Sequence, residues 1–131
     1  MVMKMLMIAA VASMSLAACQ TGMVYVSPPL HTRVIDAVTE APIANVSVTM
    51  WSTEVQDARQ RGLTDRSGFV DLPRLKGHLS VAFPFVGDRV VPPAIARFEV
   101  HGYISKEVSS GTGAAYFDGA APIRLAPLRP N

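Results

Sequence analysis

The stretch HTRVIDAVTEAPIANVSVTMW, residues 31–51, decides the fold. Val46, Val48 and Met50 alternate with Ser47, Thr49 and Trp51, the period-two pattern of a strand that buries one face and wets the other. A first strand carries Val34, with Arg33 and Ile35 on its opposite face. Between them residues 36–45 supply Asp, Thr, Pro and Asn for a turn; Pro42 has no N–H for a ladder and belongs at the loop end or at the first position of the second strand. The expectation is two strands joined by a turn. An echo follows in LTDRSGFVDL, residues 63–72. There Asp65 can accept from the amides ahead of it, Gly68 permits a positive φ, and a strand runs from Phe69 to Leu72.

Downstream the pattern repeats. EVQDARQRG, residues 54–62, is polar nearly all round and about two turns long, too short for a stable isolated helix, so it reads as a loop that can hold a helical turn. Residues 72–77 connect to a strand at 79–85, where Leu79, Val81, Phe83 and Phe85 share one face. Residues 86–93, VGDRVVPP, break it. Alternation resumes at 94–100 with Ala96, Phe98 and Val100 inward and Arg97 and Glu99 outward. A further strand is expected at 103–108, a flexible loop at 109–113, a turn at 116–119 and a closing strand at 121–125. Six to eight short strands at this spacing predict one all-β antiparallel sandwich over residues 31–126, followed by a frayed tail at 127–131.

Upstream the chain carries an address. Lys4 precedes an apolar run, residues 5–18, that is shorter than the ~20 residues of a spanning helix and ends in small residues before Cys19, as a secretory signal peptide does. Cys19 is the single cysteine, so no intramolecular disulfide can form. Leu16-Ala17-Ala18-Cys19 resembles the lipobox of bacterial lipoproteins, which implies cleavage before Cys19 and lipidation of its thiol, each buried methylene adding about 0.8 kcal/mol of membrane affinity. Gln20, where an Asp would mark inner-membrane retention, tilts the address toward the outer membrane. Residues 19–30 form a lipidated tether stiffened by Pro28 and Pro29, with an edge strand at 23–26 as the open alternative. Removing residues 1–18, which carry only Lys4, lowers the net charge from +2 to +1, so there is no electrostatic footprint for nucleic acid. Arg59, Arg61, Arg66 and Arg74 are interleaved with Asp57, Asp65 and Asp71 and read as a solvated face.

Val34-Ile35-Asp36, then Thr39-x-x-Pro42-Ile43, the Val-x-Val alternation and Thr64-Asp65-x-x-Gly68-Phe69 together resemble the carboxypeptidase-regulatory-like and transthyretin-like (prealbumin-like, Ig-like) β-sandwich superfamily. Gly102-Tyr103 is similar to its Gly-Tyr before a further strand, and Ile123-Arg124-Leu125 to its closing strand. The opening residues His31 to Asp36 with Pro42 and Trp51 also resemble the transthyretin-related hydroxyisourate hydrolases. Those enzymes carry a catalytic histidine where this chain has Arg33, an arginine where it has Phe69, and end in Tyr-Arg-Gly-Ser where it ends Leu128-Arg129-Pro130-Asn131. An arginine stays protonated near neutral pH and cannot act as a general base, so the comparison implies the fold without the activity.

Other candidates for chemistry dissolve on inspection. His31, His78 and His101 show no metal-ligand spacing. Asp65-x-Ser67-Gly68-x-x-Asp71 lacks the glycine and the bidentate glutamate of a calcium loop. Gly111-Thr112-Gly113 has no Lys-Ser/Thr after it, and no serine sits in a nucleophile elbow. No cofactor, metal or catalytic residue is expected. The expected function is a membrane-anchored lipoprotein whose sandwich is a non-catalytic binding or structural module of the cell envelope. Its partners would be an envelope protein or a glycan, met through residues 56–61 and 86–93 or by stacking on Trp51 or Tyr25. A subunit of an envelope or secretion machine is the alternative.

Overall fold

The structure is a computed structural model that describes residues 23–55, 57–78 and 92–129. Nine strands form in it: β1 (Met23–Tyr25), β2 (Leu30–Asp36), β3 (Ser47–Ser52), β4 (Arg59–Leu63), β5 (Phe69–Leu72), β6 (Lys76–His78), β7 (Ala94–Glu99), β8 (Lys106–Ser109) and β9 (Ile123–Leu125), with one helical turn, α1 (Ala114–Phe117), before β9. Strands take up 46% of these residues and helix 4%, an all-β fold. The strand expected at 79–85, residues 86–91 of the following loop, the signal segment 1–18 and Cys19 lie outside the described residues.

Two sheets pack face to face around one core. The larger has the order β4-β3-β7-β8 and is antiparallel throughout. The smaller has the order β5-β2-β9, with β2 antiparallel to β5 and parallel to β9. The antiparallel β1–β6 pair prolongs the β2–β5 pair, since the Val26 N–H donates to the Leu75 carbonyl at 2.8 Å between them.

Alternation decides which side chains go in. β3 buries Val48 and Met50 completely and leaves Ser47, Thr49 and Trp51 partly open; β7 buries Ala94, Ala96 and Phe98 and exposes Arg97 and Glu99. Leu30, Val34, Val70, Leu72, Ile123 and Leu125 come from the facing sheet. Each large apolar side chain buried in this way contributes about 1.5–3 kcal/mol. Ile35, expected on an outer face, is buried as well, because the chain after β2 folds back: Pro42 bridges to Ile35, and the Ile43 N–H donates to the Val34 carbonyl at 3.1 Å.

The decisive stretch does not make a hairpin. β2 and β3 lie in different sheets, and residues 37–46 carry the chain across. Asp36 starts that crossing. Its Oδ1 accepts the N–H groups of Val38 and Thr39 at 2.7 and 3.0 Å, and its Oδ2 accepts the Tyr103 hydroxyl at 2.8 Å. The Val-Ile-Asp and Gly-Tyr fragments, far apart in the chain, are therefore joined. These bonds hold the Asp36 carboxyl below its ordinary value, with the Thr39 amide the largest cause, and the Asp36 carboxylate raises the Tyr103 hydroxyl.

Thr64 finishes the crossing. Its buried hydroxyl donates to the Ile43 carbonyl at 2.7 Å and accepts the Val46 N–H at 2.9 Å, while its own N–H donates to the Val46 carbonyl at 3.1 Å. The turn after it forms as expected: Asp65 Oδ1 accepts the N–H groups of Ser67 and Phe69 at 2.8 and 3.0 Å, and Gly68 takes φ +80°. A Cβ on Gly68 would lie 2.5 Å from the Val34 carbonyl oxygen, so only glycine fits there.

Several boundaries differ from expectation. The polar segment 54–62 is no loop throughout, since Arg59–Leu63 is a full edge strand on β3. Arg59, Arg61 and Leu63 are exposed, and on the opposite face the missing side chain of Gly62 admits Leu72 of the core. Residues 23–30 belong to the domain rather than to a tether: β1 is the open alternative realised, and Val26, Ser27 and Leu30 are buried. The strand expected at 103–108 starts at Lys106, and Tyr103 instead bridges to Pro127. That bridge and the Leu128 N–H donated to the Gly102 carbonyl at 2.9 Å tie down the start of the expected tail. Tyr116 and Phe117 fall in α1 rather than in a turn, because Phe117 is buried against the core.

Candidate functional site

The outer face of the larger sheet gathers the most chemistry. Cross-strand register sets Arg59 beside Trp51, and Arg61, Thr49, Arg97 and Glu107 in one row. Side chains two apart on one strand share a face, so the two rows form one surface. The Arg59 and Arg97 guanidiniums lie 5.5 and 5.9 Å from the Trp51 ring centre, within the range of cation–π attraction. Arg97 Nε donates to Glu107 at 2.8 Å, and Glu99 lies 3.5 Å from its Nη1. Arg61 Nε donates to the Thr49 hydroxyl at 3.4 Å. Half-exposed pairs like these contribute about 0–1 kcal/mol each, and their effect is to hold Arg97 in place. The six residues Thr49, Trp51, Arg59, Arg61, Arg97 and Glu99 line a hollow of about 380 Å³. A ring framed by planar forks of N–H donors can stack on a sugar ring and bind a carboxylate or phosphate bidentately.

The smaller sheet shows a second cluster. β2 and β5 set His31 opposite Asp71 and Arg33 opposite Phe69. The His31 Nδ1 pairs with the Asp71 carboxylate, the imidazole stacks on Phe69 at 6.5 Å, and the Arg33 guanidinium lies 5.6 Å from the Phe69 ring centre. Arg33 Nε also donates to the Ser67 carbonyl at 3.2 Å. Arg33 and Phe69 are thus neighbours, a cation held against an aromatic ring. His31 also borders an apolar cleft of about 470 Å³ between the start of β2 and α1, walled by Pro29, Pro93, Ala114 and Phe117. The carboxylate orients the imidazole, and both groups are exposed and solvated, so water weakens any electrostatic effect on a bound substrate.

No family model matches the chain, and neither a curated protein nor a solved structure matches it. Among the described residues no three His, Cys, Asp or Glu side chains gather to hold a metal, and no helix is long and apolar enough to cross a membrane.

The structure divides the basic region seen in the sequence. Arg59 and Arg61 join the Trp51 face, whereas Arg74 stands over Tyr25. Residues 57–61 of the proposed contact loop are placed, 59–61 of them in β4, while Gln56 and residues 86–91 lie outside the described residues, as does Cys19. Arg97, Glu99 and Glu107 complete the face, and sequence reasoning did not assign them to it. Alternation marked Arg97 and Glu99 as outward, but only the pairing of β7 with β3 puts them beside Trp51.

Proposed function

We propose that this chain is a lipid-anchored lipoprotein of the bacterial envelope whose transthyretin-like, carboxypeptidase-regulatory-like sandwich is a non-catalytic binding module, with the Trp51 face taking an acidic saccharide. The observation that carries this reading is the pair of guanidiniums over Trp51 with Arg61 in the adjoining row. A ring offers stacking to any sugar, and the arginines favour one bearing carboxylates. Lipidation at Cys19 rests on the Leu-Ala-Ala-Cys sequence after an apolar signal core, and the outer-membrane address on Gln20. The absence of catalysis rests on Arg33 and Phe69 at the two hydrolase positions, since a guanidinium holds its proton near neutral pH.

Calorimetric titration of the purified protein with a uronic-acid oligosaccharide and with its neutral counterpart tests the site. Saturable binding of the acidic ligand alone is expected, weakened at least tenfold in Arg61→Gln and in Trp51→Ala. Equal binding of both ligands, or none, would refute it. Cys19→Ser should leave the protein unprocessed or soluble in cell fractionation, and membrane binding at the wild-type level would remove the anchor. A hydroxyisourate turnover assay should give the uncatalysed rate; a saturable rate abolished by changing Arg33 would overturn the non-catalytic reading.

A further inference from the structure

We infer that the outer face of the β1–β6 ribbon, formed by Tyr25, Arg74 and Lys76, is a docking surface for the anionic headgroups of the membrane in which the chain is anchored. This rests on the proposal that Cys19 carries the lipid. Tyr25 lies directly across from Lys76 in the ribbon, and their neighbours Val24 and Gly77 face the other way. Gly77 is packed against Val26 and Val55, so that side is the inner one. Tyr25 is 49% exposed, and the Arg74 guanidinium and Lys76 ammonium lie 5.4 and 5.5 Å from its ring centre. Neither cation forms an ion pair with a carboxylate among the described residues. Two like charges gathered over one ring with no ion-paired carboxylate among the described residues make a place that attracts an anion.

The covalent chain says which anion. Cys19 is four residues before Met23, the first residue of β1. At about 3.6 Å per extended residue, β1 can begin no farther than about 14 Å from the lipidated residue. The polar zone on each side of a bilayer's hydrocarbon core is about 5–8 Å deep, and the field of anionic lipids reaches a further Debye length, about 8 Å. The ribbon therefore starts at the edge of that field or inside it. Tyrosine favours the interface because its ring is apolar and its hydroxyl polar, and a basic residue near an anionic surface gains from the surface potential. Two cations shift the docked-to-free ratio by about 30-fold. The same contact would fix which way the sandwich faces on the membrane.

The test uses the full acylated protein with Tyr25→Trp in a Trp51→Phe background, inserted into vesicles whose lipids carry a headgroup quencher. Vesicles of phosphatidylglycerol with phosphatidylethanolamine are compared with vesicles of phosphatidylcholine. Flotation with the vesicles reports the anchor, and quenching of the new tryptophan reports the docking. Both proteins, with and without Arg74→Gln and Lys76→Gln, should float. Quenching should be at least twofold stronger in the anionic vesicles, fall to the phosphatidylcholine level in the double variant and fall likewise in 1 M salt. Equal quenching in both vesicles, or quenching unchanged in the double variant, would overturn the docking surface while leaving the anchor intact. Failure to float would overturn the anchor, and the docking surface with it. An unchanged urea midpoint in the double variant separates lost charge from lost fold.

Discussion

Two buried threonines, Thr64 and Thr32, make opposite predictions for one substitution. Thr64 is 3% exposed, and its hydroxyl satisfies both the Ile43 carbonyl and the Val46 N–H. Thr64→Val keeps the shape and removes both bonds, which leaves two buried backbone groups without partners. Each orphaned group costs about 1–3 kcal/mol, so Thr64→Val should destabilise by about 2–6 kcal/mol. Thr32 is 1% exposed, and its hydroxyl has no hydrogen-bond partner among the described residues. Thr32→Val removes a desolvated oxygen and adds a methyl, and should stabilise by about 1 kcal/mol. In a domain of this size 1 kcal/mol moves Tm by about 4–8 °C. The Thr64 variant should therefore melt at least ~8 °C lower and the Thr32 variant ~4–8 °C higher. Trp51 is the single tryptophan, so its fluorescence during urea unfolding measures both, with Thr64→Ser as the control that retains the hydroxyl. Shifts of the same sign, or a Thr64→Val variant as stable as Thr64→Ser, would refute the hydrogen-bond account of the crossover.

Four further outcomes follow from the fold. The carboxyl of Asp36 is held below its ordinary value of 3.8, so its contribution is in force above that pH and lost as pH falls through the lower folded value; Asp36→Asn and Tyr103→Phe should flatten the acid limb of Tm against pH. The Tyr103 hydroxyl is raised above 10.0, so its contribution is in force below that pH and lost as pH climbs through the folded value, and Tyr103→Phe should flatten the alkaline limb as well. Gly68→Ala forces alanine to φ +80° with its Cβ 2.5 Å from the Val34 oxygen, and urea unfolding should show a loss of at least about 1–2 kcal/mol. Phe98→Ala empties the largest fully buried site among the described residues and should cost about 3–5 kcal/mol in the same assay.

What was legible in the sequence is what depends on neighbours along the chain. The alternation in 46–51 and 94–99 is local, and both strands bury the side chains it marks. The Asp65–Gly68 turn is local too, because a side chain reaching two and four residues ahead needs no other part of the fold. Pairing is not local. Nothing in residues 31–51 says that β2 turns to β5 and β9 while β3 turns to β4 and β7. β4 escaped notice for a related reason: Arg59, Gln60 and Arg61 carry no apolar alternation because an edge strand needs none. α1 escaped because its four residues are too few for a period and only Phe117 turns inward.

The candidate site was half legible for the same physical reason. Trp51 was marked as outward, and Arg59 and Arg61 as basic, but the surface they share with Arg97 exists only once β3 lies between β4 and β7. Tyr25 and Arg74 likewise meet only through the pairing of β1 with β6.

Three outer-face aromatics, Trp51, Phe69 and Tyr25, each lie under at least one cationic side chain. A cation over an exposed ring is first a way of covering apolar surface, since the stem packs while the charge stays in water. The three differ in what else holds the charge. Arg33 over Phe69 donates to the Ser67 carbonyl beside a pair already made by His31 and Asp71, which leaves little demand for an outside anion. Arg97 over Trp51 is held by Glu107, but the row continues to Arg61, which donates to the neutral Thr49 hydroxyl, and a hollow opens between them. That geometry suits a ligand with both a ring and a charge. Over Tyr25 two cations share one ring with no carboxylate on either among the described residues, which suits an extended anionic surface better than a small molecule. The gradient from satisfied to unsatisfied charge is why the saccharide is assigned to the large sheet and the membrane to the ribbon, and it predicts that raising salt disturbs the ribbon's contact more than binding at the Trp51 hollow, where stacking carries part of the affinity.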